Sequence, residues 1–274
     1  MKVWINGALV NEDDAVLSAS DHGVTVGDGL FESMKVVDGV AFAVRRHLAR
    51  LRRTASGLGL SVPDDADLRD AIESTIAANG PTVGRVRLTV TGGSGPAGTS
   101  RGAGPVTVLV QCAAQTPWPP TARVLVVPWP RNERGALAGL KTTSYAENVI
   151  ALARAQEEGA DEALFGNTAG NLCEGTGTNV FVVVDDRLVT PPLSAGCLAG
   201  VTRQLLLEVD PTIEEVDVPL TQLPAVEEAF LTSSTRDVMA ISAIDGRPLN
   251  HVNGPHTQQA SSALLDLQAR TFDP

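Results

Sequence analysis

The stretch "AGLKTTSYAENVIALARA", Ala138 to Ala155, sets a single lysine ahead of an apolar run. The chain holds only Lys2, Lys35 and Lys141 against eighteen arginines, so the choice of lysine at 141 asks for a reason beyond charge. A surface lysine at a helix start is the default for this residue type. Three features count against it here: the scarcity of lysine, the strand-like Gly139-Leu140 before it, and the turn and apolar helix after it. Desolvation eases loss of the lysine proton, and a neutral amine attacks an aldehyde. Arginine stays protonated and has no such chemistry.

The bulk numbers narrow the classes. A length of 274 residues suits one large or two ordinary domains. With 43% hydrophobic and 19% charged residues the chain reads as globular with a substantial core. A net charge of −11 argues against nucleic acid and anionic membrane as partners. Cys112, Cys173 and Cys197 are odd in number and include no CxxC pair, which disfavours a disulfide framework and a zinc site and fits a reducing cytoplasm. No signal peptide or membrane-spanning run is legible.

Along the chain the pattern is α/β or α+β in two domains. "KVWING" predicts a strand and turn, and "LFESMKVVDGVAFAV" a hairpin turning at Asp38-Gly39. Leu48, Leu51, Ala55 and Leu58 fall at helical spacing, and "DDADLRDAIESTIAANG" reads as a second helix stopped at Gly80. Two strands flank the loop "GGSGPAGTSRGAG". The proline-rich "TPWPP" then divides a domain of residues 1–116 from one of residues 121–274, with 117–120 as linker. Beyond it come a strand "ARVLVVPWP", a helix carrying Ala146, Val149, Ile150 and Ala153, strands at "DEALFG", "NVFVVVDDRLVTP" and "EEAFLTSS", a helix from Val201, and a last helix from His256 to Arg270.

Phosphate-loop, HExxH and GxSxG motifs are absent, and the glycines do not complete a dinucleotide fingerprint. A lysine that serves pyridoxal phosphate needs an acid for the pyridine nitrogen and a phosphate cup. Glu174 in "GNLCEGTGTNVFVV" is a lone carboxylate between an apolar pair and a glycine-threonine turn. Val201 and Thr202 open a helix, where N–H groups bind anions, and "FLTSSTRDV" offers the hydroxyls of Ser234 and Thr235. Arg50, one turn after His47, supplies a charged fork. Each alone has an ordinary structural explanation; as a set they point to one cofactor.

The segments "GDGLFESMKVVDG", "RRHLARL", "AGLKTTSYAENVIALARAQEEGADEALF", "GNLCEGTGTNVFVV", "LVTPPLSAGCLAGVTR" and "FLTSST", in this order, resemble the class IV (fold type IV) pyridoxal-phosphate aminotransferases. The resemblance runs from "INGALV" to the last helix. It implies a small N-terminal α/β domain, a larger C-terminal domain with a barrel-like sheet, and a homodimer. It also implies that Lys141 carries the cofactor and moves the substrate proton, and that Glu174 holds the pyridine nitrogen. Arg50, Val201, Thr202, Ser234 and Thr235 then hold the phosphate. Tyr145, allowing a one-residue gap, matches the residue that binds the phenolic oxygen.

The same resemblance spans several activities. "GDGLFESMKV" is similar to the D-amino acid aminotransferases, with Phe31 where tyrosine is common and Lys35 retained. That group's Arg-x-His pair has no counterpart here, which leaves Arg101 and Lys35 as candidate anchors for a substrate carboxylate. "RNERGALAGLK" also resembles the 4-amino-4-deoxychorismate lyases. The expectation is a ping-pong transaminase acting on an amino acid, leaning to D-amino acids or an (R)-amine, with a 2-oxo acid acceptor. The alternatives are the lyase and a branched-chain L-specific enzyme. Arg131 and Arg236 are expected to be surface charges.

Overall fold

A computed structural model describes residues 1–274, which form two compact units. The first comprises Met1–Thr116, Leu140–Tyr145 and Thr271–Pro274; the second comprises Pro117–Gly139 and Ala146–Arg270. The chain breaks between Thr116 and Pro117, inside the proline-rich segment, but two short pieces of the later sequence return to the first unit. Backbone pairing is the reason for the first return. Phe31 N–H donates to the Lys141 carbonyl at 3.1 Å, and Thr143 N–H to that of Gly29 at 2.8 Å. In the second return Ala43 N–H donates to the Phe272 carbonyl at 2.7 Å. Such pairing leaves no mark in composition.

The first unit contains strands β1 (Lys2–Ile5) and β2 (Ala8–Asn11), the one-turn helix α1 (His22–Thr25), and strands β3 (Gly29–Val37) and β4 (Val40–Ala41). Helices α2 (Val44–Leu58) and α3 (Asp65–Asn79) and strands β5 (Arg85–Thr91) and β6 (Thr107–Ala113) follow. The antiparallel sheet runs β2-β1-β6-β5-β3-β4. Strict alternation on β5 sends Val86, Leu88 and Val90 into the core and Arg85, Arg87 and Thr89 to the other face. The core face packs on Leu48, Leu51 and Ala55 of α2 and on Leu68 and Ile72 of α3. Asp38 and Gly39, with φ of 50° and 78°, make the β3–β4 hairpin turn where Asp-Gly predicts one.

The second unit contains β7 (Thr121–Val126), α4 (Ala146–Glu157), β8 (Glu162–Gly166), β9 (Leu172–Gly175), β10 (Asn179–Val184) and β11 (Arg187–Thr190). It continues with α5 (Val201–Val209), β12 (Glu214–Glu215), β13 (Ala229–Ser233), β14 (Asp237–Ile244), β15 (Arg247–Pro248) and α6 (Pro255–Arg270). Its curled mixed sheet runs β12-β11-β10-β13-β14-β7-β8-β9, with β15 beside β14. Strand β14 was not expected from the sequence, because "DVMAISAI" shows no period-2 alternation. Buried Met239, Ala240 and Ile241 stand in a row.

Helix α4 forms where predicted but buries the opposite face. Val149 and Ile150 are 63% and 56% exposed, while Asn148, Ala151 and Ala155 are buried. The small alanines pack with Phe165 and Cys173 in a tight cluster, and bulkier side chains have no room there. No helix is long and apolar enough to cross a membrane.

A Cβ added at Gly39 meets nothing within 4 Å, so Gly39→Ala carries only the left-handed backbone cost. It should destabilise by about 1–2 kcal/mol, read as a lower urea midpoint with an unchanged slope.

Candidate active site

In the first unit the chemistry gathers on β3, β5 and the 140–145 segment. Lys141 is held by its backbone, its N–H donating to Thr54 Oγ1 at 3.3 Å and its carbonyl accepting from Phe31. Its Nζ lies 4.3 Å from the Phe31 ring centroid and 6.0 Å from that of Tyr145. Phe31 and Tyr145 meet edge to face at 5.2 Å. Lys141 thus sits in an extended segment, with α4 beginning only at Ala146.

Arg50 lies on the core side of α2 and is 5% exposed. Its Nε and one terminal nitrogen donate to the two oxygens of Glu32 at 2.9 and 2.6 Å. His47 Nδ1–H donates to the same carboxylate at 2.6 Å. Glu32, wholly buried, stands among the apolar core positions of β3, where the His47 and Arg50 spacing of three residues brings both onto it. Burial alone would raise the Glu32 carboxyl, but the Arg50 charge and hydrogen bonds and the His47 bond outweigh it and hold it at about 2. Burial pushes His47 down, and the Arg50 and Lys141 charges add to that against the pull of Glu32. Glu32 is therefore ionised and His47 neutral.

On the opposite sheet face, the Arg87 guanidinium stacks 3.6 Å over the Phe31 ring. Its Nε donates to Thr89 Oγ1 at 3.3 Å, and no carboxylate lies within ion-pair reach. Burial pushes its pKa down. Lys35 is paired in register with Arg85, four residues along β3 from Phe31, about 13 Å at the strand rise. Arg101 grips Asp28 with Nε and one terminal nitrogen, both at 2.7 Å, and its third nitrogen donates to the Gly59 carbonyl at 3.1 Å. All three of its nitrogens serve the fold of its own loop.

In the second unit Glu174 ends β9. Its Oε2 accepts from Leu198 N–H at 2.9 Å, and Arg131 Nε stands 3.6 Å from Oε1. Arg131 also pairs with Glu147 at 2.5 Å and stacks 4.0 Å over Phe165. Helix α5 starts after Gly200, which offers no side-chain cap, so the N–H groups of Val201 and Thr202 point out of the helix end. A Cβ at Gly200 would fall 1.9 Å from Asn179 Oδ1, so only glycine permits this approach. Ser234 and Thr235 lie in the three-residue turn between β13 and β14. Arg131 and Arg236 are 17% and 10% exposed, which corrects the expectation of surface charges: each is drawn in by a carboxylate and an aromatic ring.

The amino-transferase class IV family matches residues 29–244. The chain belongs to that family. A Methanocaldococcus jannaschii protein named "Putative branched-chain-amino-acid aminotransferase" is 32% identical over 98% of this chain and 97% of its own. A Bacillus licheniformis D-alanine aminotransferase is 29% identical over 96% of each. Among solved structures, a branched-chain aminotransferase from Thermoproteus uzoniensis with norvaline superposes with a TM-score of 0.90 at 28% identity, covering 97% of this chain and 94% of that one. A Mycobacterium tuberculosis aminotransferase in its PLP-bound form gives 0.85 at 25%, covering 96% and 97%. The fold is that of the fold type IV aminotransferases.

Class IV aminotransferases depend on pyridoxal phosphate, and the residues present fit that group. The first unit offers an amine and an arginine, and the second offers a carboxylate, a helix N-terminus and paired hydroxyls. Thr178, just before β10, and Thr232, paired with Asn179 at the start of that strand, each keep a buried hydroxyl without a hydrogen-bond partner, as expected beside a polar ligand. Sequence reading missed Glu32 and Arg87 in this aminotransferase. Their signals were present: a lone acid among Leu30, Met34 and Val36, and an alternation that sets two arginines on the face opposite the core.

Arg50→Met would leave Glu32 buried without its main partner. A loss of about 3–5 kcal/mol in chemical denaturation is expected, largely recovered in the Glu32→Met/Arg50→Met double variant. The pH dependence has a definite sign. Glu32 is depressed from 4.5 to about 2, so its contribution is complete above pH 4.5 and is lost as pH falls toward 2. His47 is depressed below 6.5, so its protonation opposes folding on the acid side of that value. The thermal midpoint should fall from pH 6.5 downward, and Glu32→Gln should flatten the part below pH 4.5.

Proposed function

We propose that this chain is a transaminase that holds its amino donor by the carboxylate, with D-amino acids preferred and a 2-oxo acid as acceptor. One observation carries the reading: Arg87 and Lys141 share the Phe31 ring, at 3.6 and 4.3 Å from its centroid. A half-buried arginine without a counter-ion, beside the amine that does the chemistry, is a seat for an anionic group of the substrate. Arg101, committed to Asp28 and Gly59, is less suited to that role. The D-preference rests on the "GDGLFESMKV" segment and on the D-alanine aminotransferases among the relatives.

In this reading Lys141 holds the carbonyl carbon of pyridoxal phosphate and Glu174 its ring nitrogen. Arg50, the Val201 and Thr202 amides and the Ser234 and Thr235 hydroxyls take the phosphate, and Tyr145 the phenolic oxygen. When bound, the cofactor supplies a carbon that exchanges amino groups and a ring that withdraws the electrons left when the donor's Cα–H bond breaks. The Lys141 amine would serve as the base that takes the donor's Cα proton and as the acid that gives it back. Arg87 orients the donor by its carboxylate, and Phe31 and Tyr145 wall off water. The two half-reactions alternate, and the working form is a homodimer, as the resemblance implies, in the reducing cytoplasm that its three cysteines fit.

The test is a single half-reaction. Holoenzyme mixed with D-alanine, L-leucine or (R)-1-phenylethylamine, without oxo acid, should lose its visible cofactor band, fastest with D-alanine. Faster loss with L-leucine would assign it to the branched-chain activity. No loss with any donor, together with pyruvate release from aminodeoxychorismate, would make it a lyase. Arg87→Met should raise KM for D-alanine on the order of ten- to a hundred-fold and leave the response to (R)-1-phenylethylamine unchanged.

A further inference from the structure

Strands β13 and β14 pair down to Ser233 and Asp237, so their turn is Ser234, Thr235 and Arg236. Only Asp237 takes a left-handed backbone there, with φ of 53°, and Arg236 N–H donates to Ser233 Oγ at 3.2 Å. An arginine in such a turn is ordinarily solvated. Arg236 instead turns inward, with a terminal nitrogen 2.9 Å from Glu162 Oε2 and its guanidinium 4.2 Å from the Trp118 ring centroid.

Glu162 is fully buried at the start of β8. Its other oxygen, Oε1, accepts from the N–H of Ala163 and of Thr176, both at 3.1 Å, and from the Thr176 hydroxyl. Thr176 stands two residues beyond Glu174. One continuous polar chain therefore runs from the hydroxyl turn through Arg236, Glu162 and Thr176 to the strand end that carries Glu174, all within the second unit. Glu162 Oε2 makes no hydrogen bond, so the ion pair with Arg236 at 2.9 Å is what offsets its buried charge, and displacing Arg236 leaves that charge unpaired.

We propose that Arg236 is a positioning residue that sets the spacing between the two ends of the cofactor seat. Through Glu162 and Thr176 it fixes the Ser234–Thr235 hydroxyls, which receive phosphate, relative to Glu174, which receives the ring nitrogen. Trp118 completes the arrangement by covering the guanidinium face, which keeps water from competing for Glu162. The inference rests on the assignment of Ser234 and Thr235 to the phosphate.

The experiment measures pyridoxal phosphate affinity by titrating apoprotein, beside the apoprotein's thermal midpoint. Arg236→Met should weaken affinity roughly ten-fold or more, and Arg236→Lys should restore part of it. Since Arg236→Met alone strands a buried carboxylate, Arg236→Met/Glu162→Gln is the companion variant. It should regain the thermal midpoint while its affinity stays weak. Wild-type affinity in either the single or the double variant would overturn the proposal, the latter by reducing Arg236 to a neutraliser of Glu162. Thr235→Ala is the control on the underlying assignment. If it binds as tightly as wild type, the hydroxyl turn is not the phosphate seat and the inference falls with it. If it weakens binding while Arg236→Met does not, only the role of Arg236 is lost.

Discussion

Glu32 occupies a position on β3 that Leu30, Met34 and Val36 fill with hydrocarbon, and it is buried as completely as they are. The cost of an ionised carboxylate there is met by Arg50 and His47 together, from one face of α2. The arrangement ties α2 to β3 at one azimuth and one register. It also decides where Phe31 goes, since the next residue on the strand must face the other way. Phe31 then carries Arg87 on its ring and lies under Lys141, whose carbonyl takes its N–H. The placement of the Lys141 amine over Phe31 follows from the pairing of a carboxylate one residue away.

The second unit repeats the device with different residues. Glu162 is also wholly buried and is also met by an arginine, Arg236, from a neighbouring element. In both units a carboxylate buried in the core thus fixes the position of an arginine brought to it by a neighbouring element. The groups around Glu174 follow a looser pattern, with Arg131 spanning Glu147 and Glu174 over the Phe165 ring. Such charge-on-ring contacts let a guanidinium remain cationic with little water around it. The cysteines beside them play no such part. Burial first, with the Glu174 charge adding, pushes Cys197 up to about 12 and Cys173 higher still, so both are neutral thiols that pack.

Features written in local sequence were legible, and features made by distant pairing were not. The Asp38-Gly39 turn and helix α2 with its left-handed stop at Gly59 follow from residue types and spacing. The family and its cofactor were legible through a resemblance spread over six segments. Partners were not. Nothing near Arg101 in the chain announces Asp28, seventy-three positions away, which engages it. Helix α4 shows the limit of periodicity: Val149 and Ile150 look like a core face, yet the room beneath the helix admits only alanines. Arg87 could have been read from the alternation of "RVRLTVT", but that pattern names a face and not what lies on it.

The return of two short segments to the first unit bears on the order in which the molecule is completed during synthesis. Residues 1–116 emerge first and contain all six strands of their sheet, yet the partners of Gly29 and Phe31 arrive only at 141–143, and that of Ala43 only at Phe272. At about 5–20 residues per second, the stretch from Thr116 to Phe272 takes roughly ten to thirty seconds to make. The β3 edge at Gly29 and Phe31 stays open only until Lys141 and Thr143 emerge, roughly one to five seconds after Thr116, whereas Ala43 waits the full interval for Phe272. The earliest part of the chain to be translated is thus the last to be completed, when Phe272 supplies the carbonyl that takes the Ala43 N–H.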